Sequence, residues 1–118
     1  MKDYAFTLRL IEDGHKYFGP GVMKLLEKVD QHGSLRAAAQ DMEMAYSKAW
    51  KIVRNAERAL GYPLLESAVG GRKGGGAAVT AQGAEFMEKY RAFDMSLHRR
   101  ADELYEELFG AMESGKEE

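Results

Sequence analysis

The sequence predicts an α+β fold that is mostly α, with two short strand pairs and a long C-terminal helix. Three features point there. Residues 34–60 hold a short Ala-rich helical pattern, a tight turn and a longer basic helical pattern. Two short β-prone runs, 64–67 and 77–79, flank the tip Gly70-Gly71-Arg72-Lys73-Gly74-Gly75-Gly76. From residue 81 onward, apolar residues recur at helical spacing as far as residue 108. A chain of 118 residues suits one domain with a modest core.

Each element has its own signal. Tyr4 to Ile11 is rich in β-formers, Asp13-Gly14 is a hairpin turn, and Lys16-Tyr17-Phe18 returns as a second strand. Gly19-Pro20-Gly21 breaks that hairpin, and Pro20 is placed to open a helix. Val22, Leu25, Leu26 and Val29 share one face of that first helix, which Gly33 ends. Ser34 is a good N-cap for a second helix, with Leu35, Ala38, Ala39 and Met42 as its buried face. Its three consecutive alanines allow another helix to approach closely. Glu43-Met44-Ala45 is the turn, and a third helix runs from Tyr46 to Leu60. Ala49, Trp50, Val53, Ala56 and Leu60 should face the core, and Gly61 with Pro63 stops the helix. Thr80 caps a fourth helix, whose stripe is Phe86, Tyr90, Phe93, Leu97, Ala101, Leu104 and Leu108. That spacing is close to a coiled-coil seam, and the helix exceeds what a small domain can cover by itself. The expected division of residues 1–118 is a hairpin (1–20), a three-helix core (21–62), a wing (63–80), a dimerisation helix (81–112) and a tail (113–118).

Composition narrows the function. The chain has no cysteine, so it has neither disulfides nor a thiolate metal site, in keeping with a reducing cytoplasm. No apolar run approaches the ~18 residues of a membrane span, and the N-terminus lacks the apolar core of a signal peptide. The net charge of −2 hides a division. Residues 1–33 are balanced, residues 34–76 carry +3, and residues 77–118 carry −5. Binding partners respond to the local field, so the basic middle segment is the informative one.

That segment has the order of parts of a winged helix-turn-helix, which reads duplex DNA. In a major groove, Tyr46, Ser47 and Lys48 in the first turn of the third helix would meet bases or phosphates, and Lys51 would follow one turn later. Arg54, Asn55 and Arg58 lie further along and suit the backbone. Arg72 and Lys73 at the wing tip suit phosphate or the minor groove. Ser34 and Arg36 sit where a helix N-terminus can hold a phosphate oxygen, or where a plain N-cap is enough. A basic helix face is more simply a solvated one, and the tip a loop with incidental charge. A nucleotide-binding phosphate loop fails, because Lys73 is followed by Gly74 where Ser or Thr is required. Trp50 reads as a core anchor, and His15, His32 and His98 have no partner at metal-ligand spacing. No catalytic set, metal or cofactor is expected. The second class of function is a winged-helix interaction module with no specific DNA target, docking through the acidic fourth helix.

The run Ser47-Lys48-Ala49-Trp50, Val53, Leu60, Leu64-Leu65-Glu66, the Gly70–Ala77 wing, Thr80 and Gly83 resembles the N-terminal DNA-binding domain of ModE-type molybdate-responsive regulators. More distantly it is similar to the LysR-type winged helix-turn-helix, through Leu60-Gly61-Tyr62-Pro63-Leu64. The resemblance implies a bacterial transcription regulator that binds double-stranded DNA as a homodimer, at a near-palindromic operator, with its long helices packed together. Full-length relatives of this kind carry a C-terminal oxyanion-binding module. These residues hold no counterpart to it, so no oxyanion effector is expected.

Overall fold

The computed structural model describes residues 2–68 and 75–115. In chain order the elements are β1 (Leu10–Glu12), β2 (His15–Phe18), α1 (Pro20–His32), α2 (Leu35–Asp41), α3 (Tyr46–Leu60), β3 (Leu65–Ser67), β4 (Ala77–Val79) and α4 (Ala81–Gly115). Contacts divide the chain into two units. One is Thr7–Met87; the other pairs the N-terminal residues through Phe6 with α4 from Glu88 onward.

Strands β1 and β2 are antiparallel, with Ile11 opposite Lys16 and Glu12 opposite His15. Asp13 and Gly14 both take positive φ, at 50° and 80°, as a two-residue hairpin of the right twist needs. The ladder is shorter than expected: its pairing begins at Leu10, and residues 4–9 lie outside the strand. The returning strand ends at Phe18, because Pro20 has already begun α1. In the second unit, Tyr4 and Phe6 instead stack on α4, at 5.1 Å from the Tyr105 ring and 4.2 Å from His98. The Tyr4 hydroxyl also donates a short hydrogen bond to the Asp102 carboxylate, which pushes the phenol pKa up to about 12.

The larger unit is a winged helix-turn-helix. Leu25, Val29, Leu35, Ala38, Ala39, Ala49 and Val53 form its core, all at least nine-tenths buried. Val22 and Met42, expected on buried faces, are half-buried at its rim. Gly33, at φ 77°, ends α1 and passes its N–H to the Val29 carbonyl. Ser34 Oγ then accepts the Ala37 N–H at 3.0 Å and starts α2. The turn into α3 puts Glu43 at φ 55°, while the Met44 N–H reaches the Ala39 carbonyl. Helix α1 is tied to the end of α2 through Asp41, whose carboxylate accepts from His32 at 2.8 Å and Lys28 at 3.0 Å.

The base of the wing is held by hydrogen bonds from three directions. The Glu57 carboxylate accepts the Leu64 N–H at 2.8 Å. Thr80 Oγ1 donates to the Pro63 carbonyl at 2.7 Å and accepts the Gly83 N–H at 2.9 Å, so one hydroxyl closes the wing and caps α4. The Ala77 N–H reaches back to the Gly33 carbonyl. Strand β3 pairs antiparallel with β4, Leu65 opposite Val79. Helix α4 continues to Gly115, past the expected boundary at 112, since Ala111-Met112-Glu113 are good helix formers with no stop signal.

Two predictions follow from these ties. Thr80→Val keeps the shape but removes the partner of a part-buried carbonyl and of a helix N–H, and should lower unfolding free energy by about 1–3 kcal/mol. Equilibrium urea unfolding reads this directly, and a loss below about 0.5 kcal/mol would show the hydroxyl to be dispensable. The hydrogen bond from His32, aided by Lys28, holds the Asp41 carboxyl below its ordinary value. A depressed carboxyl pKa adds stability above the unfolded value, near ~3.9, that is lost as pH falls through the folded one. The urea midpoint of wild type should therefore fall on acidification below about pH 4 more steeply than that of Asp41→Asn. Parallel pH profiles would remove Asp41 from the acid limb.

Candidate nucleic-acid interface

The face of α3 is set by its small residues. Ala49, Val53 and Ala56 are fully buried. At 100° per residue, Ser47, Lys51, Arg54 and Arg58 then lie on the opposite side. All four are exposed, as are Lys48 and Asn55. Helix α2 crosses behind α3, so the cationic face points away from the core.

One flank of α3 meets the wing. Tyr46 and Trp50 lie on this side, ring edges 6.3 Å apart between centroids. The Arg36 guanidinium sits 4.1 Å over the Tyr46 ring, and that of Arg54 sits 5.0 Å over Trp50. The result is a pair of rings with a cation at each end, running from the start of α2 to the middle of α3. The rings and Arg36 line a cleft closed by Leu65, Glu66 and Gly76 of the wing. This corrects the expectation for Trp50. It packs on the core by one edge but is only half-buried, because its position lies about 90° round the helix from the Ala49–Val53–Ala56 centre. Leu60 is also half-buried. Arg72 and Lys73, at the tip, lie outside the described residues.

The other flank meets the hairpin. The Asn55 side-chain amide donates to the Lys16 carbonyl at 3.2 Å, so its role is at least partly to seat β2. A second cleft here is lined by Arg9, Lys16 and Lys48 together with Phe18, Val22 and Ile52. Arg9 and Lys16 were not among the residues singled out by sequence, since no local pattern says where a hairpin docks. Ser34 is half-buried, and its hydroxyl serves the Ala37 N–H as a plain N-cap. Arg36 is exposed beside it.

The α4 stripe divides in two. Phe86 packs edge-on to Phe18 at 4.8 Å, and Tyr90 is buried. Leu97 and Ala101 are half-buried, while Phe93, Leu104 and Leu108 are exposed, Leu108 to 69%. Met95, Phe109 and Met112 add further exposed apolar surface. Among the described residues no three His, Cys, Asp or Glu side chains gather as metal ligands, and no helix is long and apolar enough to cross a membrane.

Known proteins are similar to this chain in sequence or in fold. The transcriptional regulator ModE of Haemophilus influenzae is 30% identical over 90 residues, covering 76% of this chain and 35% of that protein. The molybdenum transport protein ModE of Azotobacter vinelandii is 31% identical over 86 residues, covering 73% and 32%. The molybdenum-pterin-binding protein MopA of Rhodobacter capsulatus is 37% identical over 77 residues, covering 65% and 29%. The chain thus spans about a third of the length of these curated relatives. Among solved structures, a CbnR_DBD–DNA complex superposes with a TM-score of 0.53 at 25% identity, covering 70% of this chain and 90% of that one. CbnR, a LysR family transcriptional regulator, has the same fold, with a TM-score of 0.53 at 24% identity over 73% of this chain and 28% of its own. Residues 21–84, from the first turn of α1 into α4, match the LysR family of bacterial regulatory helix-turn-helix proteins, and the chain belongs to that family.

Proposed function

We propose that this chain is the DNA-binding part of a transcription regulator, acting as a homodimer with α3 in the major groove. The observation that carries the reading is the exposed cationic face of α3, which none of the chain's own described elements covers. Ser47, Lys48 and Tyr46 open the helix and meet base edges or phosphates, while Lys51, Arg54 and Arg58 neutralise backbone charge. Arg36 reaches phosphate from the start of α2, held in place by its stack on Tyr46. Asn55 and Ser34 contribute less directly, through the hairpin seat and the α2 cap. Arg72 and Lys73 at the wing tip reach the backbone or minor groove. The similarity to a domain solved with DNA, and to relatives named as regulators, supports the same reading.

Salt titration of duplex binding by fluorescence anisotropy tests it. Wild type should bind duplex with log K falling linearly against log salt, and Lys51→Ala should reduce that slope by about 1. Wild type that binds no duplex at low salt would sink the proposal.

The homodimer of this reading pairs through α4. Phe86 and Tyr90 are engaged or buried within one chain, so the seam runs along Phe93, Leu97, Ala101, Leu104 and Leu108. Exposed leucines at this spacing are normal for a helix that pairs with its own copy. A two-fold pair would present two α3 helices to half-sites about 34 Å apart, or a multiple of that, on a near-palindromic operator. Light scattering should give twice the chain mass for wild type and a single-chain mass for Leu104→Lys/Leu108→Lys. A wild-type monomer at high concentration would remove the seam.

A further inference from the structure

We propose that the N-terminal hairpin is a second wing: Arg9 and Lys16, together with Lys48 of α3, grip the DNA backbone on the flank of α3 away from β3 and β4. The proposal rests on the DNA-binding reading above and extends it to residues outside the helix-turn-helix. Helix geometry separates the two flanks. Positions 46 and 50 fall on one side of the exposed face, and 48, 52 and 55 fall on the other. The first pair lines the cleft against the wing, and the second set lines the cleft against the hairpin. The cationic face of α3 therefore lies between two β-hairpins, and Lys48 belongs both to that face and to the hairpin cleft.

The chemistry of the cleft suits a sugar–phosphate backbone. Its floor is apolar, from Phe18, Val22 and Ile52, and its rim carries Arg9, Lys16 and Lys48. A deoxyribose ring fits such a floor while its phosphates meet the cations. All three cations are exposed, and among the described residues none has a carboxylate within ion-pair distance. The hairpin acids Glu12 and Asp13 lie at its turn and do not line the cleft. The cations are also well seated. Phe18 is 1% exposed, Asn55 holds the Lys16 carbonyl, and the Arg9 stem packs so close to Gly19 that a Cβ there would sit 3.3 Å from Arg9 Cγ. A seated hairpin loses little freedom on binding, which is what separates a built contact from an incidental charge.

The test compares wild type, Arg9→Gln/Lys16→Gln and Lys51→Ala on a specific and a random duplex. The double variant should lower the salt slope by about 2, equally on both duplexes, because phosphate contacts carry no base information. Hydroxyl-radical footprints should lose protection at the sugars flanking the major-groove contact, while Arg9→Lys/Lys16→Arg keeps both slope and footprint. Unchanged thermal melting of the double variant separates contact from folding, and if that variant melts early, the single Lys16→Gln carries the slope measurement. An unchanged slope in the hairpin variants beside a reduced slope in Lys51→Ala overturns this proposal and leaves the α3 reading intact. No duplex binding by wild type overturns both.

Discussion

The close approach of α2 and α3 is the constraint on which the rest depends. It is made by alanines: Ala38 and Ala39 on one helix and Ala49 on the other, all 0–1% exposed. A methyl group at these points lets the helix axes come near, and close packing fixes the rotation of α3 about its axis. That rotation decides which residues face outward. Larger side chains would push the helices apart or turn α3, and overpacking of this kind typically costs about 1–3 kcal/mol. The interface is thus determined by residues that never touch a ligand.

Once α3 is fixed, its two flanks are fixed by polar ties of the same kind. Glu57, in its last turn, accepts the N–H of Leu64 and so anchors the strand that becomes the wing. Asn55, near its middle, holds the carbonyl of Lys16 and so anchors the hairpin. Each tie satisfies a backbone group beside the helix with a side chain from the helix, so the flanks cannot shift without leaving a partner unmet. Thr80 then joins the wing to α4 through a single buried hydroxyl. The placement of the cationic rows on either side of α3 follows from these few bonds.

The local signals in the sequence were strong where one residue type fits one geometry. Pro20 at the first turn of α1, Gly33 and Gly61 at helix ends, Ser34 as N-cap and Asp13-Gly14 in the hairpin turn all sit as their chemistry dictates. The wing strands and the outward set on α3 were legible for the same reason. What failed was tertiary. Tyr4 to Arg9 looked like strand by propensity but lies outside β1, since the returning strand stops at Phe18, before Pro20 opens α1. Trp50 looked like core by hydrophobicity but lies at the rim, where Arg54 covers its ring. The hairpin cations were invisible because docking depends on Phe18 and Asn55, which are distant in sequence. Arg72 and Lys73 stand outside the described residues.

The division of charge along the chain takes on a physical meaning in this arrangement. Within residues 34–76 the helix α3 alone carries a net +3, while the acidic excess of residues 77–118 falls mostly on the long helix. Screening limits such fields to about 10 Å at ordinary ionic strength, so a charged partner responds to the side chains near it. A polyanion meets the basic face without being repelled by a chain whose total charge is −2. Acidic residues of α4 are interspersed with its apolar stripe, of which Phe93, Leu104 and Leu108 are exposed. The hairpin cations fit the same division. Arg9 and Lys16 come from a segment with no net charge, yet docking beside α3 adds them to the basic face and leaves Glu12 and Asp13 at the far turn. Folding, more than composition, concentrates the positive charge where a phosphate backbone would lie.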